Sequence, residues 1–345
     1  MAKLKIGVLY DQWDGDAAEQ AATAPRKRRR RGEPSEDIQE VYEALKKGGH
    51  SPSYVVLDGV KESLLALAGL EADLIFNLTE SYRGDDTKDT NIAAYLDLLG
   101  HRYTGAGFEA LYLAQDKPLA KKIFSFHGIT TPYFATVYRG RLEHAQDIRF
   151  PLIVKPARED GSIGIEFSAV VNSIKELMER IDALHVEFDS PVLLEEYVEG
   201  REIYVGILGN EKPEALPLVE LDLSRLPEGT PKIAGTEVKW EKDTDVYRKT
   251  KPFLPEDLDE ATVEKIQSTA IAAYQALKLR DYGRIDIRLD KEKKPHVLEV
   301  NPNPYLLPKA EFSMAAKKSG RAHTDLINEI VELALARYGA TSLTS

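Results

Sequence analysis

The chain has 345 residues, 43% hydrophobic and 30% charged, with a formal net charge of −11. That composition belongs to a globular protein large enough for two or three packed units. There is no cysteine, which excludes disulfides, thiolate metal sites and cysteine nucleophiles and fits a reducing compartment. No stretch approaches the ~18 apolar residues of a membrane span, and the apolar start is too short for a signal peptide. A cytoplasmic protein without membrane contact is expected.

In chain order, KLKIGVLY (3–10) reads as a buried first strand. A polar segment, 11–35, follows, broken by Gly15, Pro25, Gly32 and Pro34 and carrying six basic side chains in a row at 26–31. One basic island in an acidic chain lacks the broad field and aromatic interleaving of a nucleic-acid binder. A solvated loop and a handle for an anionic substrate remain. From 35 to 47, Ile38, Val41, Tyr42 and Leu45 recur at helical spacing, and Gly48-Gly49 stops the helix. SYVVLDG and ADLIFNL (72–78) read as two further strands. Strands separated by a helix predict a parallel α/β unit ending near residue 110.

The middle of the chain reads as α+β. DKPLAKKIFSFHGI is a helix stopped at Gly128, and 151–167 is a strand, a glycine-containing loop and a strand. A helix over 173–184 follows, then two strands within 191–210 joined at Glu199-Gly200. Residues 222–256, polar and interrupted by prolines, predict a long mobile loop. A helix over about 257–278 leads to the last strands, and LINEIVELALARYG is an amphipathic C-terminal helix. Three units are expected: 1–110, 111–205 and 206–345.

RIDIRLD (284–290) alternates strictly, so Arg284, Asp286 and Arg288 share one face and Ile285, Ile287 and Leu289 the other. DKEKKP turns the chain and HVLEVN (296–301) returns, with Glu299 and Asn301 on one face and Val297 beside them. A hairpin therefore brings Asp286, Glu299 and Asn301 together next to Arg284. Three oxygen donors at a strand end suit a hard cation such as Mg²⁺, completed by phosphates and water. A surface hairpin with incidental charges is the plainer alternative.

YGRIDIRLD and HVLEVNPNP resemble the metal-binding end of the ATP-grasp ligases, specifically the D-alanine–D-alanine ligase group. HRYTGAGFEALYLAQDKPLAKKIF (101–124), FPLIVKPAREDGSIGIEF (150–167) and LLEEYVEGREIYVGIL (193–208) follow the same group's order and spacing, so the likeness covers nearly the whole chain. The resemblance implies an ATP-grasp fold, mixed α/β and α+β, behind an N-terminal parallel α/β (pre-ATP-grasp) domain. It implies ATP and Mg²⁺ as cofactors, with Mn²⁺ as a substitute, small amino-acid or peptide substrates, and a homodimer. By the same resemblance Lys117 and Lys155 contact the ATP phosphates. Glu195 is the adenine-side carboxylate beside the backbone of Glu196, Tyr197 and Val198, and Glu202 binds the ribose. Gly161 and Ser162 belong to the loop that closes over the phosphates, where glycine lets backbone amides approach. Lys239 reaches the γ-phosphate from a mobile loop, and Asp286, Glu299 and Asn301 hold the metal. Arg284 stabilises the anionic tetrahedral intermediate. The implied reaction runs through an acyl phosphate, which an amine displaces to give an amide, ADP and phosphate.

The substrate half departs from the group's pattern. The Gly-Gly-x-Ser-x-Glu turn after strand one is replaced by the long basic segment, with Glu36 as counterpart of the substrate-side glutamate. Gly161 and Trp240 stand where that glutamate's serine and tyrosine partners are expected, and Glu80 replaces a histidine after strand three. Asn303 and Tyr305, in NPNPY, take the places of serine and glycine at the acceptor site. A changed set of polar groups rejects substrates that leave them unpaired. The reading is therefore a ligase of the same reaction class acting on other amino acids or peptides. D-alanine–D-alanine ligation is the second reading, and a non-catalytic nucleotide or nucleic-acid binder the third.

Overall fold

The computed structural model describes residues 3–13, 34–139, 141–143, 149–159, 161–188, 190–239 and 244–341. The basic run at 26–31 and Trp240 lie outside them. The N-terminal unit contains β1 (Lys5–Asp11), α1 (Glu36–Lys47), β2 (Ser51–Leu57), α2 (Lys61–Ala68), β3 (Leu74–Asn77), α3 (Asp89–Leu98) and α4 (Phe108–Gln115). Its sheet is parallel in the order β2-β1-β3, as the alternation of strands and helices predicts. β1 is buried on both faces: Ile6, Val8 and Tyr10 share a cluster with α1, while Leu9 packs with Leu67 and Leu96 of α2 and α3.

The second unit contains α5 (Lys117–Phe126), β4 (Phe134–Tyr138), β5 (Arg141–Glu143), β6 (Leu152–Pro156), β7 (Val170–Val171), α6 (Ile174–Glu187) and β8 (Val192–Glu196). It forms an antiparallel sheet in the order β5-β4-β8-β6-β7. α5 begins where the Asp116 side chain accepts from the Leu119 amide (3.0 Å) and Pro118 occupies the first turn. The strand expected before 167 is instead the two-residue β7, because the chain first makes turns at 161–164.

The last unit contains β9 (Gly200–Leu208), β10 (Glu214–Ala215), β11 (Val219–Leu221), α7 (Thr236–Lys239), α8 (Asp245–Lys249), β12 (Pro252–Phe253), α9 (Glu260–Ala276), β13 (Tyr282–Asp290), β14 (Pro295–Pro302), α10 (Glu311–Lys318) and α11 (His323–Thr341). The sheet order is β12-β11-β9-β13-β14, with β10 also on β9. β8 and β9, expected as neighbours joined at Glu199-Gly200, belong to different sheets, so the expected boundary at 205 falls inside a strand. Gly200 bends the chain where only glycine fits: a Cβ there would stand 2.0 Å from the Leu289 carbonyl oxygen. The long loop expected at 222–256 is corrected over its described residues, 222–239 and 244–256, which hold α7, α8 and β12 and bury Leu223, Leu226, Ile233 and Val238 in the core.

One junction ties the N-terminal unit to the last. Asp281, fully buried, accepts from the Gly105 amide (2.8 Å) and pairs with Arg337 (3.0 Å). Asn303 Oδ1 accepts from the Ala106 amide (2.8 Å), packed so closely that a Cβ on Gly105 would meet it at 2.2 Å. Charged hydrogen bonds sealed from water fix such a joint firmly. Among the described residues, no helix is long and apolar enough to cross a membrane.

Candidate active site

Three adjacent strands build the floor of the site. Across the β9–β13 ladder Glu202 faces Arg288, Tyr204 faces Asp286 and Gly206 faces Arg284. Across β13–β14, Asp286 faces Glu299 and Arg284 faces Asn301. The opposite face, with Ile203, Val205, Ile285, Ile287 and Val300, packs in one core with Ile266, Ala270 and Ala273 of α9. Sequence alternation predicted this division, with one error. The register shifts between Asp286 and Ile287, so Ile287 faces Val297 and Leu298 has no partner. Val297 is therefore in the core and not beside Glu299. The bulge keeps an apolar face and a charged face on one strand that simple alternation could not supply.

Arg284 makes a bidentate pair with Asp286 (2.7 and 2.9 Å), lies over the Tyr204 ring at 5.0 Å and stands 3.8 Å from Glu311. Lys117 donates to the Glu159 carbonyl (2.6 Å) and reaches within 4.0 Å of Glu299. Burial would raise the Glu299 carboxyl, but Lys117, Lys239, Lys155 and Arg284 reverse that and hold it below its ordinary range. Burial pushes Asp286 upward, with Glu299's charge adding to the effect and Arg284 and Lys239 opposing it. Asp286 and Glu299 stand on adjacent strands, with Asn301 two pairs further on and on the same face as Glu299; the Asn301 amide is 3.5 Å from the Arg284 carbonyl. Two carboxylates and an amide oxygen are hard donors that suit Mg²⁺. Among the described residues no group of three or more His, Cys, Asp or Glu side chains is placed to hold a metal ion, so this set depends on the Asn301 amide as its third donor.

Further along the cleft, Glu195 on β8 lies between two lysines, Lys121 and Lys155, each at 2.5 Å. Burial works to raise its carboxyl, and the two lysines more than offset this, holding it low. The expected adenine-side carboxylate is thus committed to protein cations. Glu202 accepts from Arg288 (2.7 Å) and from the Tyr204 hydroxyl (3.0 Å), and Arg288 also donates to the Lys232 carbonyl (2.9 Å). Between them, the amides of Glu196 and Tyr197 donate to the Tyr133 and Pro151 carbonyls (both 2.9 Å), and Val198 continues toward β9. Lys121, Arg288 and Tyr204 carry no role in the sequence reading. Lys121 was findable as the residue one helical turn after Lys117, and Arg288 had been assigned to the correct face.

Two loops clasp each other over the floor. Gly161 and Ser162 both take positive φ, +64° and +65°. The Ser162 hydroxyl donates to the Ala234 carbonyl (2.8 Å), and the Thr236 hydroxyl donates to the Ser162 carbonyl (3.0 Å). This clasp holds the start of α7, whose last residue, Lys239, pulls the carboxyls of both Asp286 and Glu299 down by its charge.

A small pocket toward the N-terminal unit is lined by Asp37, Val41, Thr79, Glu80, Asn303 and Tyr305. Tyr305 donates to Glu80 (3.2 Å), whose backbone amide donates to Asp11 (2.7 Å). Glu80 keeps an edge open to solvent, yet the protein crowded around it, with Asp37 and Asp11, pushes its carboxyl up to about 7 against the pull of Tyr305. Asn303, at φ +49°, spends its side-chain oxygen on the junction with Ala106. Glu36 lies exposed at the start of α1, and its neighbour Asp37, one turn before Val41, is the acid that lines the pocket. Glu80, Asn303 and Tyr305 therefore meet, and Glu36 is not among the pocket's lining residues.

Floor, clasp and the arrangement of three sheets define an ATP-grasp fold. A solved structure of D-alanine–D-alanine ligase from Bacillus anthracis complexed with ATP superposes with a TM-score of 0.69 over 98% of this chain and 99% of that one, at 21% identity. The family model described as D-ala D-ala ligase C-terminus matches residues 123–332. An uncharacterised protein, y4sG, of Sinorhizobium fredii is 32% identical over 265 residues, 77% of this chain and 75% of that protein. D-alanine–D-alanine ligase of Bordetella petrii is 32% identical over 308 residues, 88% of each chain. The chain belongs to the D-alanine–D-alanine ligase family, whose members are enzymes that form a C–N bond.

Proposed function

We propose that the protein is a cytoplasmic, ATP-dependent carboxylate–amine ligase that joins amino acids or short peptides through an acyl phosphate. The observation that carries this reading is the convergence of Lys117, Lys155, Lys239 and Arg284 on Glu299. Four cations around one partly buried carboxylate are poised for a polyanion, and phosphoryl transfer is achieved mainly by positioning and charge neutralisation. Lys117 on α5 and Lys155 on β6 hold the polyphosphate from the second unit, and Lys239 reaches it from α7. Asp286, Glu299 and Asn301 would hold Mg²⁺, which supplies neutralisation of the phosphate oxygens. Arg284, at the end of β13 nearest the acceptor pocket, steadies the oxyanion as the amine attacks. The clasp between Ser162 and Thr236 keeps water from the acyl phosphate.

The substrate is read from the pocket's own residues. Asp37, Glu80 and Tyr305 offer an acidic, hydrogen-bonding lining, and Gly161 removes a hydroxyl from the group's usual set. A pair other than D-alanine with itself fits this inventory better. Phosphate release measured across amino acids and dipeptides, with mass spectrometry of products, tests the reading. ATP-dependent amide formation with little activity on D-alanine alone is expected. Efficient D-alanyl-D-alanine synthesis at millimolar D-alanine would contradict the substrate assignment, and substrate-independent ATP turnover would contradict the ligase.

A further inference from the structure

Lys121 is among the most deeply buried cations described, its side chain 1% exposed. It projects from α5 into the seam between two sheets. Its ammonium group lies 2.5 Å from Glu195 on β8, donates to the Thr131 hydroxyl at 2.7 Å, and stands 3.5 Å from the Val297 carbonyl on β14. On the other oxygen of Glu195 sits Lys155, also at 2.5 Å. Burial pulls the Lys121 ammonium below its usual value, with Glu195 opposing that and Lys155 adding to it.

The charge count is what needs explaining. A buried carboxylate needs one cation, and an excess buried cation is costly unless something else compensates it. Lys155 alone would neutralise Glu195. With Lys121 present the trio carries one surplus positive charge directed toward Glu299, on which both lysines act, and Lys155 is the less buried of the two. We infer that Lys121 is a positioning residue that neutralises Glu195 so that the charge of Lys155 remains available to a nucleotide polyphosphate. Its bond toward Val297, beside the bulge that sets Glu299, also ties the central sheet to the metal edge. This inference rests on the ATP reading above and goes beyond it by giving a role to a residue that the ATP reading leaves without one.

The test compares Lys121→Met, Lys121→Gln and Lys121→Arg by calorimetric binding of ATP, ADP and AMP, with thermal melts alongside. Met removes the charge and keeps the bulk, Gln removes it and keeps a donor for Thr131, and Arg keeps it. Met and Gln should each weaken ATP and ADP on the order of tenfold or more, because a neutral Lys155–Glu195 pair no longer presents a charge to the phosphates. AMP should bind as in the wild type, and Arg should retain most of the ATP affinity. Should Met not fold, Gln carries the comparison. Equal loss for ATP and AMP, or no loss in Met and Gln, would overturn the positioning role while leaving the ATP reading intact. A wild type that binds no ATP would overturn both.

Discussion

Replacing Glu299 with glutamine should lower substrate-dependent phosphate release by roughly 10²–10³-fold while leaving the protein folded. Glu299 faces Asp286 across β13–β14, and four cations hold its carboxyl in the charged state. Glutamine keeps the shape and one oxygen donor but removes a full charge from the proposed metal edge. Mg²⁺ affinity should fall, so part of the loss should return when Mg²⁺ is raised well above the wild-type requirement. Titrating phosphate release against Mg²⁺ reads both effects. Near wild-type release at limiting Mg²⁺ would remove the hairpin from the site.

Arg284→Met should act on stability and turnover together. Asp286 is buried, and Arg284 is its bidentate partner at 2.7 and 2.9 Å. Removing one partner of a buried pair strands the other charge, at a cost of about 3–5 kcal/mol. Tyr204 would also lose the guanidinium lying over its ring. Denaturant unfolding should register the destabilisation, and turnover of the surviving folded fraction should drop by a further ~10²-fold as oxyanion stabilisation is lost. A variant as stable as wild type would show that Asp286 is neutralised by other means.

The charged face of β13 was legible because alternation fixes which residues share a side before any partner is known. The bulge at Leu298 was not, since a register shift is a property of two strands and leaves no mark on one. It is why Val297 was placed beside Glu299 and belongs to the core. Asp37 was within reach of the sequence: Ile38, Val41 and Leu45 set the phase of α1, and Asp37 stands one turn before Val41. A motif counterpart drew attention to Glu36, about 100° away around the helix. Lys121 was hidden for a different reason. A lysine in an amphipathic helix reads as solvated, and only the meeting of two sheets around α5 buries it.

The segment 222–256 failed as a loop because Leu223, Leu226, Ile233 and Val238 follow no helical or strand period, yet each fills the core beneath the clasp. The split between β8 and β9 was equally opaque. Two apolar runs joined by Glu199-Gly200 carry the pattern of a hairpin, yet β8 pairs with β4 and β6 while β9 pairs with β11 and β13.

In the proposed reaction a carboxylate takes up phosphate before an amine arrives. Once the screen supplies a substrate, its carboxylate can be labelled with ¹⁸O and the released inorganic phosphate analysed by mass spectrometry. An acyl phosphate requires one labelled oxygen to leave with the phosphate when the amine displaces it, so one ¹⁸O per phosphate is the result expected. Unlabelled phosphate, with the displaced ¹⁸O released on AMP or as water instead, would contradict it.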